Sequence, residues 1–199
     1  KGQPGAIGDS FGEVIADSFP EVTVLFADIV GFTRFSSTVT PERLVLLLNE
    51  LFTDYDHIAD RHGLEKIKSI GDAYMAAAGL PLPVADHAAR AARAALDMLD
   101  AVERFNERNG CQFQIRIGIN SGPVVAGVIG KRRFIYDLWG ATVNTASRME
   151  SHGVAGRVQI TEATRQRLGS GFVLEERGPI TVKDMGELHT WFLTGIADT

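Results

Sequence analysis

The sequence predicts an α+β fold, a βαββαβ sandwich followed by a C-terminal strand and helix subdomain, on three observations. Val22, Val24 and Phe26 alternate with Thr23, Leu25 and Ala27, and Phe113, Ile115, Ile117 and Ile119 alternate with Gln112, Gln114, Arg116 and Gly118, the two-residue period of strands. Apolar residues recur at helical spacing through Leu44, Leu47, Leu48, Leu51, Phe52, Tyr55 and Ile58, and again through Ala88, Ala92, Ala95, Leu99, Val102 and Phe105. Between those two stripes, Leu64 to Ile70 and Ala73 to Ala78 read as short strands meeting at Gly71-Asp72. Strand, helix, two strands, helix, strand is a ferredoxin-like order, expected to place helices on one face of a mainly antiparallel sheet.

Each element has its own start and stop. The first strand runs from Glu21 and ends at Asp28, leaving a carboxylate at its tip. Thr40-Pro41-Glu42 is a helix start and Gly63 the matching stop. Gly71 and Asp72 both tolerate turn conformations, so Asp72 belongs at a hairpin tip. Pro81 and Pro83 separate the hairpin from the second long helix, which closes near Asn109-Gly110. Arg116 points away from the apolar face of its strand. Ser121-Gly122 is expected to turn the chain into Pro123 to Ile129, and Lys131-Arg132-Arg133 begins a basic excursion. Trp139-Gly140 then leads into a helix over Ala141 to Glu150, and the remainder reads as strand, short helix and two strands.

At 199 residues, 45% hydrophobic and 23% charged, the chain suits one globular domain with a real core. A net charge of −5 without a dense basic tract argues against a nucleic-acid surface. The lone Cys111 offers neither an internal disulfide nor a zinc spacing, which suits a reducing, cytoplasmic setting. No apolar run reaches membrane-spanning length, so no direct membrane contact is expected from this stretch. The chain starts at Lys1, and Gly2, Gly5, Gly8 and Gly12 crowd its opening. Residues 1–19 are therefore read as a linker or cut edge, leaving room for a larger or membrane-tethered protein.

Asp28 is followed by Ile29-Val30-Gly31-Phe32-Thr33, a turn whose backbone N–H groups can converge on an anion. Alone, Asp28 is equally a cap for the next helix, and Asp72 equally a turn former. Together, two aspartates on neighbouring strand ends suit Mg²⁺ or Mn²⁺, which take few carboxylates and leave positions for phosphate oxygens. Asn144 and Arg148 stand four apart on one helix face, either a hydrogen-bonded surface or a pair for a ribose oxygen and a charged phosphorus centre.

Four blocks, Phe26 to Phe32, Glu65 to Gly79, Arg116 to Gly130 and Tyr136 to Glu150, resemble the class III adenylyl/guanylyl cyclase catalytic domain. The most telling is Tyr136-Asp137-Leu138-Trp139-Gly140 running into Val143-Asn144-Thr145-Ala146-Ser147-Arg148-Met149. The resemblance spans Pro20 to Gly195 and implies one catalytic domain over residues 20–199, with an arm that helps two copies pack. It further implies that Asp28, Asp72 and the Ile29 carbonyl hold two divalent ions, Mg²⁺ or Mn²⁺. Lys68 and Asp137 then read the base, Asn144 positions the ribose, and Arg148 stabilises the transition state. Arg116 and Lys183 contact the polyphosphate, with Phe32 and Thr33 in the phosphate-side turn. No side-chain general base stands out; Asp28 and bulk water are the candidate acceptors.

Adenine offers an acceptor at N1 and a donor at N6, which an ammonium and a carboxylate complement; guanine inverts both. Lys68 with Asp137 thus favours ATP, converted to 3′,5′-cyclic AMP and pyrophosphate. In this family the metal aspartates and the base, ribose and transition-state residues of one site come from different domains. A homodimer of a chain carrying both sets would hold two composite sites. A guanylyl cyclase is the nearest rival, opposed by Lys68 and Asp137; a non-catalytic partner domain is opposed by the full residue set. A diguanylate cyclase would need a Gly-Gly-acidic-acidic-Phe turn that Gly71-Asp72-Ala73 does not supply. Two departures stand out: Lys183-Asp184-Met185-Gly186, where many relatives carry a second lysine and an extra glycine, and Ile135, in a segment often aromatic.

Overall fold

In a computed structural model, which describes residues 15–129 and 135–197, the chain opens with a 15-residue strand, β1 (Ile15–Ile29). A short helix α1 (Phe32–Ser36) and the long α2 (Pro41–His62) follow, then the hairpin β2 (Glu65–Ile70) and β3 (Ala73–Ala78). Helix α3 (His87–Asn109) leads to β4 (Ile115–Val128), β5 (Tyr136–Trp139) and α4 (Ala141–Ser151). The chain finishes with β6 (Val158–Thr161), α5 (Glu162–Leu168), β7 (Phe172–Val182) and β8 (Gly186–Ile196). The eight strands form one sheet in the order β2-β3-β1-β4-β6-β8-β7, with β5 added to β4 and only the β4–β6 pairing parallel. The α+β class and the βαββαβ order are as the sequence predicts.

The helix limits follow from local chemistry. Thr40 Oγ1 accepts the Arg43 N–H at 3.3 Å, Pro41 occupies the first position where its missing N–H costs nothing, and Gly63 ends α2 at φ 69°. Leu47, Leu51, Tyr55 and Ile58 of α2 and the alanine-rich face of α3 pack on the sheet against Leu25, Ala27, Ile115, Ile117 and Ile119.

Two expectations are corrected. Helix α4 does not join α2 and α3; Val143 and Ala146 pack with Val22, Val24, Met75, Ala77 and Val124 on the opposite face. The cause is the alternation of β1 and β4, whose even-numbered residues (Val22, Val24, Val124, Ala126) are also apolar or small and need cover. Nor does Ser121-Gly122 reverse the chain. β4 runs unbroken through it, and the β1–β4 register slips between Phe19 and Val22 instead. Pro20 and Pro123 cannot both feed a regular ladder, so the paired strands bend through a bulge and continue. The basic excursion at Lys131-Arg132-Arg133 lies outside the described residues; Ile135 is exposed immediately before β5. Among the described residues, no helix is long and apolar enough to cross a membrane.

Candidate active site

Asp28 lies one residue before the end of β1, paired across the sheet with Ala73 on one side and Arg116 on the other. Because Ala73 follows the Gly71-Asp72 tip, this register carries Asp72 to the end of β1, where its carboxyl faces Asp28. Burial and the neighbouring Asp28 carboxylate push Asp72 up to about 7, only partly offset by backbone N–H groups of Asp72 and Ile29. Asp28 Oδ1 is buried without a hydrogen-bond partner. Two facing carboxyls, one with an orphaned buried oxygen and one holding its proton unusually tightly, are a donor set short of positive charge. Among the described residues no set of three His, Cys, Asp or Glu side chains meets, so further ligands to a cation at this spot would be backbone carbonyls such as that of Ile29, water, or oxygens of a bound phosphate. That suits Mg²⁺ or Mn²⁺ better than a fully protein-caged ion.

Arg116 sits beside this pair. Its Nη2 is 3.9 Å from Asp28 Oδ2 and 3.1 Å from Glu150 Oε1. Glu150, 8% exposed at the end of α4, is pushed up to about 7 by burial and by Asp28, against the pull of Arg116. Sequence reasoning missed Glu150, since nothing local announces that a helix-end acid will meet a strand arginine 34 positions earlier. After Ile29, Gly31 takes a left-handed φ of 70° and starts α1. Phe32 and Thr33 thereby supply the first N–H groups of that turn, which no preceding turn can accept.

Lys68 and Asp137 meet directly. Lys68 Nζ donates to Asp137 Oδ2 at 2.5 Å, while Asp137 Oδ1 accepts the Leu138 N–H at 2.8 Å. Both side chains are less than a third exposed, and they come from β2 and β5, strands with no shared ladder. Asn144 and Arg148 are exposed on one side of α4, and the hydrogen bonds at Arg148 run to its backbone carbonyl, from His152 and Ser151. Lys183 is exposed in the turn joining β7 to β8, where Asp184 adopts a left-handed φ of 66° and Thr145 of α4 donates to Met185 Sδ at 3.8 Å. The expected residues thus form three groups within one chain. Asp28, Asp72 and Arg116 gather at the end of β1, and Lys68 pairs with Asp137, while Asn144 and Arg148 project from α4 into solvent.

Comparison with known proteins decides what this arrangement belongs to. The family model of the adenylate and guanylate cyclase catalytic domain matches residues 14–195. The chain belongs to that family. The cyclase domain is 46% identical over 196 residues to an adenylate cyclase of Mycobacterium tuberculosis, covering 96% of this chain and 44% of that protein. It spans less than half the length of that relative. The guanylate cyclase domain of RhGC from Catenaria anguillulae in complex with GTP superposes with a TM-score of 0.88 at 41% identity, over 91% of this chain and all of that one. The adenylyl cyclase CyaB from P. aeruginosa superposes with a TM-score of 0.85 at 28% identity, over 93% and 97% of the two chains. Adenylyl and guanylyl enzymes share this fold, so base preference depends on particular side chains.

Proposed function

We propose that the cyclase domain converts ATP to 3′,5′-cyclic AMP and pyrophosphate at sites shared between two copies of the chain. The observation that carries the reaction is the facing of Asp72 and Asp28, with the buried Oδ1 of Asp28 unpaired. These carboxylates and the Ile29 carbonyl are the residues that would hold two divalent cations, Mg²⁺ or Mn²⁺. Bound there, such ions supply the positive charge that acidifies the ribose 3′-hydroxyl and neutralises the departing pyrophosphate. In the reaction the 3′-oxygen bonds to the α-phosphorus, the bond from that phosphorus to the pyrophosphate oxygen breaks with its electron pair going to pyrophosphate, and the hydroxyl proton passes to bulk water.

The remaining roles belong to the protein. Arg116 and Lys183, with the first-turn N–H groups at Phe32 and Thr33, hold the polyphosphate. Lys68 donates to adenine N1, and Asp137 accepts from N6. Asn144 orients the ribose, and Arg148 meets the charge that develops on the α-phosphoryl oxygens; Arg148→Ala therefore lowers kcat by about 10²–10³-fold with little change in KM. The exposure of Asn144 and Arg148 supports a site completed by a second copy, since a chain that kept both for its own aspartates would fold them inward.

The test is incubation with ATP or GTP and Mg²⁺ or Mn²⁺ over a range of protein concentrations, with identification of the cyclic product. Cyclic AMP formed at a specific activity that falls on dilution is the expected result. Equal or greater cyclic GTP production overturns the ATP assignment, and concentration-independent specific activity overturns the shared site.

A further inference from the structure

Helix α4 carries Asn144 and Arg148, yet its own ends are poorly provided for. Its N-cap is Gly140, which offers no side chain, and His152 closes it without a left-handed glycine. Two buried amides from the sheet grip it instead. At the first turn, Asn120 Nδ2 donates to the Thr142 carbonyl at 3.1 Å. Asn120 Oδ1 accepts from Thr161 Oγ1 at 2.6 Å, so the amide cannot turn over without losing both bonds. At the last turn, Gln159 Nε2 donates to the Met149 carbonyl at 3.1 Å. Its Oε1 is taken by the Arg177 guanidinium, which also donates to the His152 carbonyl at 2.6 Å. Asn120 is 6% exposed and Gln159 fully buried.

Beside these grips the helix passes close over two glycines of β4. A Cβ on Gly118 would fall 2.0 Å from the Glu150 nitrogen, and one on Gly122 2.6 Å from Thr142 Oγ1. The apolar packing of Val143 and Ala146 on Val22, Val24 and Val124 is non-directional and holds the helix against the sheet more firmly than it fixes the helix along its axis. Directional hydrogen bonds at both ends do fix it. Buried amides are costly unless fully bonded, and here every polar atom of Asn120 and Gln159 that bonds does so in service of α4 or its backing.

We propose that Asn120, Gln159 and Arg177 are positioning residues that set the axial register of α4 on β4, and through it the placement of Arg148 and Asn144 in the reaction. This rests on the cyclase reading above. Gln159→Met and Asn120→Leu keep side-chain volume and remove the bonds. A misplacement of about 1 Å in a reacting group costs about 10²-fold, so each variant should lose about 10–100-fold in kcat with KM for ATP changed less than about threefold. Arg177→Lys, which keeps a donor, should lose less than Arg177→Met.

The decisive arm is a double-mutant cycle with Arg148→Ala. Losses that act through Arg148 do not multiply with its removal; full multiplication overturns the proposal. Leu51→Ala, on the opposite face of the sheet and with a similar loss of melting temperature, should retain kcat; a matching loss there means that general softening suffices and also overturns it. Should the unaltered protein form no cyclic nucleotide, the cyclase reading fails separately. The register claim is then decided by a crystal structure of Gln159→Met, with α4 displaced along β4 in support and unmoved in refutation.

Discussion

Replacing Gly118 by alanine tests the architecture most directly, because a single methyl group meets backbone rather than a flexible side chain. The new Cβ would lie 2.0 Å from the Glu150 nitrogen, 2.5 Å from the Met149 carbonyl carbon and 2.7 Å from the Glu150 Cα. Ordinary contact begins near 3.4 Å, so α4 must lift by roughly 1.4 Å, the difference between 3.4 and 2.0. Gly118 has no left-handed backbone to excuse it; space alone demands glycine. Overpacking of this kind costs about 1–3 kcal/mol, or a fall of about 2–12 °C in Tm for a domain of this size. A shift above 1 Å at the helix bearing Arg148 should cost about 10²-fold in kcat. Thermal melts and steady-state cyclic AMP production measure the two effects, with Gly195→Ala as control, since a Cβ there meets nothing within 4 Å. A Gly118→Ala protein with unaltered Tm and kcat would refute the close seating of α4.

Other outcomes follow from the same geometry. Lys68→Glu alone places two carboxylates where an ammonium now sits 2.5 Å from Asp137, so it should lose activity with both nucleotides; adding Asp137→Ser should restore turnover with GTP, and product analysis of the single and double variants decides it. Asp72→Ala and Arg148→Ala, each strongly impaired alone, should regain activity on mixing as one intact site forms per mixed dimer; no recovery despite demonstrated mixed dimers would sink the shared site. The raised Asp72 group means that the folded, metal-free domain keeps a proton that the unfolded chain sheds above its ordinary value of 3.8, so this group's contribution to stability falls as pH rises from about 4 through about 7. A bound cation replaces that proton, so Mn²⁺ should raise Tm more at pH 8 than at pH 6, and Asp72→Asn should raise the metal-free Tm at pH 8 while abolishing the response. Equal increments at the two pH values would contradict the facing of Asp28 and Asp72.

Legibility in the sequence tracked how local each signal was. Asp28 and Asp72 were visible because a strand end and a Gly-Asp hairpin tip are short-range patterns; that they face each other needed the register Asp28↔Ala73, which a single sequence does not encode openly. Asn144 and Arg148 share a helix face by simple periodicity. The Lys68–Asp137 contact joins positions 69 apart, and only the family resemblance pointed to it. Asn120, Gln159, Arg177 and Glu150 went unread because their partners are backbone carbonyls or cross-element ions, which leave no spacing rule behind. The placement of α4 was missed for a related reason. Its buried side includes Thr142 and Glu150, so its apolar stripe is interrupted and resembles that of a surface helix.

The contact between Lys68 and Asp137 has a consequence for how a base is chosen. Lys68 Nζ and Asp137 Oδ2 are clasped together, and the other carboxylate oxygen is tied to the Leu138 N–H. On the ATP reading, an incoming ring must therefore pry open a closed latch and replace its charge-assisted bond on both sides at once. Adenine can do so, offering a lone pair to the ammonium and a hydrogen to the carboxylate. Guanine carries its acceptor at O6 and its hydrogen at N1, the reverse arrangement, and so meets the pair out of step. Selectivity of that kind is set by the order in which a ring presents its two groups, not by their number.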